Sequence, residues 1–141
     1  MDTATFHEAA ALDHELRGWL RGQESLLVEM TLTRHGYGLR LGFDLARLSD
    51  GVLRPDLDTR EQRLTIEMEG VQRLLMEGGL TTSMVRHPEA IDWGLSEVAV
   101  LRAQPCTAGI QFQVLWEGER RIVVDAHSAR VAGPADALPR R

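Results

Sequence analysis

A chain of 141 residues with 43% hydrophobic and 26% charged side chains has the composition of one globular domain, long enough to bury roughly two thirds of its unfolded surface without a covalent staple. A single cysteine, Cys106, excludes the small disulfide-bonded scaffold. A net charge of −5, from 21 acids against 16 bases that are all arginine, disfavours nucleic acid as a partner and favours a basic protein.

The amino-terminal stretch MDTATFHEA is acidic and polar, with no basic start and no apolar signal core, and no apolar run approaches membrane-spanning length. A cytoplasmic protein without membrane contact is therefore expected. In TFHEAAALDHELRGWLRG, Thr5-x-x-Glu8 reads as a capping box that starts a helix. Phe6, Ala9, Ala10, Leu12, Leu16, Trp19 and Leu20 then form one apolar stripe. His7, Glu8, Asp13, His14, Glu15 and Arg17 are left toward water, with Asp13 and Arg17 spaced for an ion pair. His7 and His14, seven helical residues and roughly 10 Å apart, are too distant to hold one metal ion. Gly18 and Gly22 end the segment.

The period then changes from 3.6 to 2. Leu26, Val28, Met30 and Leu32 alternate with polar or outward positions, as do Leu39, Leu41, Phe43 and Leu45, which predicts a hairpin turning at His35-Gly36. Its register sets Leu32 opposite Leu39, Met30 opposite Leu41, Val28 opposite Phe43 and Leu26 opposite Leu45, and it gives His35 a left-handed backbone. SDGVLRPDLDT, from Ser49 to Thr59, reads as a surface loop. Leu64, Ile66 and Met68 point inward on a third strand. Gly70 suggests a bulge before VQRLLMEGG, which is read as strand rather than helical turn. RHPEAIDWG is a further loop, LSEVAVLRA a short strand and QPCTAG a turn or loop. The last hairpin, with Glu117-Gly118-Glu119 as its loop, pairs Val114 with Ile122, Phe112 with Val124 and Ile110 with Ala126, and leaves Gln113 on the other face. AGPADALPRR, two prolines among small residues, is an expected disordered tail over 132–141, so the domain spans 1–131.

Together these elements predict an α+β domain, an N-terminal amphipathic helix packed on an antiparallel β-sheet of about five to seven strands. The chemistry is sparse. Asp125 and His127 share a strand face beside Ser128, but Ser128 points to the opposite face and no nucleophile elbow precedes it. Cys106, with His127 or His87 as its base, has no basic neighbour to lower its pKa. There is no GxGxxG, no P-loop and no CxxC. Glu29, Asp44, Glu67 and Glu69 alternate with inward apolar residues and form a solvated acidic sheet face. No catalytic residue, metal or cofactor is expected.

LTRHGYGLRLGFDLARLSDG, RLTIEMEGVQRLLMEGG, LSEVAV and a final strand from Arg121 to Val131 together resemble the small bacterial immunity proteins encoded beside polymorphic toxins, the group numbered fifty, over Ser25 to Val131. The resemblance implies a non-enzymatic protein that binds and neutralises a cognate toxin domain, which the acidic charge suggests is basic. Candidate contact residues are Trp93, Asp92 and Glu89 in the IDWG region with Glu67, Glu69, Glu29 and Asp44 on the sheet face; a place in the core beneath its loop is the alternative for Trp93. Two rival readings stand beside it. One is a ligand-binding or enzymatic domain with His7, His14, Asp125 or His127 at the mouth of a pocket between helix and sheet. The other is a homo-oligomer subunit, for example a homodimer, joined through a free sheet edge or the helix stripe.

Overall fold

The computed structural model describes residues 2–23, 25–45, 63–78, 98–116 and 120–133. Within them the chain forms β1 (Asp2–Phe6), α1 (Ala9–Gly18), β2 (Leu26–Thr33), β3 (Gly38–Asp44), β4 (Arg63–Glu69), β5 (Arg73–Glu77), β6 (Val98–Cys106), β7 (Gly109–Trp116), β8 (Arg121–Ala126) and β9 (Ser128–Gly133). All strand pairings are antiparallel. They build two sheets where the sequence suggested one: β1-β9-β4-β3-β2 and β5-β8-β7-β6.

A paired corner joins the sheets. β4 runs on into β5 through Gly70, Val71 and Gln72, while β8 runs on into β9 through His127 alone, so a strand pair of the first sheet continues as a strand pair of the second. The corner keeps its backbone hydrogen bonds. The Gln72 amide donates to the Asp125 carbonyl at 2.8 Å, and the His127 amide to the Glu69 and Gly70 carbonyls at 3.0 and 3.2 Å. Gly70 has φ 67°, and a Cβ there would lie 2.8 Å from that of His127, so this residue must be glycine on both counts. The single strand expected from Arg121 to Val131 is thus two strands, because one straight strand cannot pair with β7 on one side of the bend and with β4 beyond it. β9 also extends through Gly133, two residues past the expected end of the domain.

Inward residues of both sheets meet in one core. Leu39, Leu41, Phe43, Leu64, Ile66, Met68, Ala129 and Val131 come from the first sheet, and Leu101, Ile110, Phe112, Val114, Ile122 and Val124 from the second. The expected alternation of β4 and the β7–β8 register, Val114 with Ile122 and Phe112 with Val124, are both present. The β2–β3 register holds from the turn as far as Met30 opposite Leu41, then shifts at a bulge. Leu27, not Val28, faces Phe43, and Val28 is exposed. Gln104, Pro105 and Cys106, expected in a loop, continue β6 into a tight turn at Thr107 and Ala108.

The amino terminus departs most from expectation. Residues 2–6 are a strand, paired along their whole length with β9 from Asp2 opposite Gly133 to Phe6 opposite Ala129. No capping box forms: the N-cap of α1 is Glu8, without a side-chain cap. Five residues of ladder satisfy more backbone groups than one cap, and Thr3 and Thr5 suit an extended chain. His7 therefore lies between strand and helix rather than on the helix. Ala9, Leu12, Leu16 and Trp19 do form the buried stripe, while Ala10 is exposed. α1 lies mainly along β6, an edge strand whose outward backbone groups require partners. Asp13 and Arg21 supply them. Asp13 Oδ1 accepts from the Ala103 amide at 3.0 Å, and Arg21 Nη1 donates to the Leu101 carbonyl at 3.2 Å. The two side chains also form a double hydrogen bond of 2.9 and 2.8 Å. Farther along, Pro105 shares the alternation of Leu101 and Ala103 and has no amide to leave unpaired. Among the described residues no helix is long and apolar enough to cross a membrane.

Candidate recognition surface

The β2–β3 connection is built from an unusual backbone. The ladder closes at Thr33 opposite Gly38, leaving Arg34, His35, Gly36 and Tyr37 to reverse the chain, a longer turn than His35-Gly36 alone. Arg34, His35 and Gly36 are all left-handed, with φ of 49°, 57° and 94°. The expectation for His35 is met, but it has company. Each non-glycine residue in this region costs about 1–2 kcal/mol, and such strain persists only where surrounding contacts enforce it. Those contacts are visible. The Tyr37 amide donates to the Arg34 carbonyl at 3.2 Å, the Val71 amide beyond the sheet corner donates to the Tyr37 carbonyl at 2.9 Å, and Arg34 pairs with Glu69 at 3.7 Å. The tip is therefore tied to the rigid corner, while the side chains of Arg34, His35 and Tyr37 are exposed, Tyr37 by 70%, with Leu32 beside them at 60%.

The sheet face next to this tip carries the acids read from the sequence, but each meets arginine. Glu67 takes Arg40 at 3.3 Å and Arg130 at 2.9 Å; Glu69 takes Arg34, and Arg130 at 3.9 Å; Glu29 takes Arg63 at 3.6 Å and Arg40 at 4.0 Å. Asp44 stands opposite Arg63 in the β3–β4 register. The face is thus a cross-strand charge ladder rather than an acidic sheet. Acids and arginines are equal in number among the described residues, so the whole of the −5 belongs to the rest of the chain. Trp93, Asp92 and Glu89 lie outside the described residues.

Among the described residues, histidine and cysteine chemistry is dispersed with one exception. His7 and His127 come together with ring centroids 6.2 Å apart in an edge-on arrangement. His14 lies exposed on α1. Asp125 is occupied by Gln111 at 2.9 Å and Arg73 at 3.7 Å. Ser128 is buried, and Cys106 is a free, half-buried thiol. Among the described residues no three of His, Cys, Asp and Glu group as metal ligands. The shifted titrations belong to the edge clip: Arg21's hydrogen bond holds the Asp13 carboxyl below its ordinary range against the opposing effect of burial, with help from the Ala103 amide, and Asp13 in turn raises Arg21.

Sequence reasoning passed over Arg34, Tyr37 and Leu32. The available signal was TRHGYG, where two glycines flank a tyrosine at a hairpin turn, a place where a large aromatic has no core to enter. No family model, no curated protein and no solved structure matches this chain.

Proposed function

We propose that this chain is a protein-binding domain without a reaction of its own, acting in the cytoplasm as a toxin-neutralising immunity protein of the kind its sequence resembles. The observation that carries the binding role is the β2–β3 tip, which displays Arg34, His35 and Tyr37 on a strained backbone anchored to Val71 and Glu69. Tyrosine and arginine dominate binding hot spots. A backbone already fixed in shape lowers the ordering cost of association. The charge ladder behind the tip supplies a polar rim, and an acidic surplus outside the described residues would steer a basic partner. The toxin class comes from the resemblance alone.

Co-expression with a toxin domain encoded beside this gene tests the reading. Restored growth together with a stable copurifying complex is expected. Restored growth with no complex would indicate an enzyme acting on the toxin or its target, and no protection would remove the immunity assignment.

A further inference from the structure

His7 and His127 are far apart in sequence and are brought together where β1 ends and where β8 bends into β9. The β1–β9 ladder ends at Phe6 opposite Ala129, which leaves His7 leaving the sheet just where His127 turns the corner into β9. His127 has little backbone freedom there. Its amide is held by the Glu69 and Gly70 carbonyls, and its Cβ lies over Gly70, where any side chain would displace it. Both imidazoles are nevertheless exposed, so their ring nitrogens can be reached from solvent.

We propose that His7 and His127 form a two-imidazole site for a divalent transition-metal ion such as zinc. Two imidazoles bound to one zinc at about 2.1 Å with a tetrahedral angle have ring centres about 5 Å apart. The observed 6.2 Å is about 1 Å longer, a difference that rotation of the two exposed side chains about χ1 and χ2 would remove on binding. Neutral imidazole is a ligand for zinc, nickel and copper, whereas hard cations such as magnesium and calcium prefer oxygen donors. Two protein nitrogens leave the remaining coordination positions to water or to an incoming ligand atom. The ion would also clamp β1 to the β8–β9 corner, adding a cross-link where the amino-terminal strand ends.

The test is a zinc chloride titration of the whole chain, followed by the imidazole proton resonances. The resonances of His7 and His127 should shift together along one saturating curve at one equivalent, while those of His14 and His35 stay in place. His7→Ala and His127→Ala should each weaken binding at least tenfold, and His14→Ala should leave it unchanged. Zinc should raise the melting temperature of the parent protein and of His14→Ala but not of the other two variants. Unchanged affinity in either His7→Ala or His127→Ala, or no coupled shift of the two rings, would overturn the proposal. Because both side chains are exposed, circular dichroism of the variants should match the parent and exclude misfolding as the cause.

Discussion

Replacing Asp13 by alanine removes the acceptor of the Ala103 amide and the partner of Arg21 in one step, and leaves a guanidinium beside the β6 edge without its carboxylate. Asp13 accepts three hydrogen bonds. Each contributes up to about 1.5–3 kcal/mol when fully buried, and solvent screening of this partly exposed pair lowers the sum, so Asp13→Ala should cost about 2–4 kcal/mol in urea denaturation. The pH dependence follows from the direction of the shift. The folded carboxyl titrates below its unfolded value of about 3.9, so the ionised form stabilises the fold above that pH, and this contribution is lost as pH falls through the folded value. Asp13→Asn should therefore lose stability less steeply than the parent below about pH 4. Local spacing revealed only part of this. The Asp13–Arg17 pair is present at 3.4 Å, but the stronger partner is Arg21. The carbonyl of Leu101 and the amide of Ala103 that hold both side chains are some eighty to ninety positions away, and no helical periodicity points to them. The His7–His127 contact was hidden for the same reason, since it depends on where the sheet bends.

Elements with a buried and an exposed face were legible because the side-chain period of a strand reports burial directly. β4 follows that rule along its length, and the β7–β8 hairpin follows it except at Gln113 and Val123, which are buried as well. Legibility failed where an element departs from regularity: at the bulge beside Val28, at the one-residue break of His127, and in residues 2–6, whose pairing with β9 outweighs a local helix-start signal. The β7–β8 register, found as expected, has a measurable consequence. Phe112 is fully buried opposite Val124, so Phe112→Ala should lower stability by about 3–5 kcal/mol. Gln113, read from alternation as a solvent-facing residue, is buried and bonded to Arg102 and Gln111. Gln113→Ala should then cost about 1 kcal/mol rather than nothing. Equal denaturation midpoints for the two variants would contradict the register.

Across the whole molecule, the order and periodicity of the elements announced a mainly antiparallel α+β domain but not its division into two sheets. Alternation says which residues face inward, and it is silent on which strands share a sheet. The corner through Gly70 and His127 makes that division, and it also anchors the recognition tip through Val71. Net charge was similarly ambiguous, because the average of −5 conceals a described framework in which every glutamate of the sheet face meets an arginine. Of the acids expected to contact a partner, Glu29, Glu67 and Glu69 each pair with arginine across the strands, and the proposed contact surface moves to the tip. The most direct measurement is the affinity of the Arg34→Ala/Tyr37→Ala double variant for the partner that the proposed function requires, a toxin domain encoded beside this gene, by surface plasmon resonance, with circular dichroism matched to the parent. The account expects binding at least a hundredfold weaker, mostly through faster dissociation, while Arg73→Ala, on the other sheet, binds as the parent does. Undiminished affinity of the double variant would contradict it.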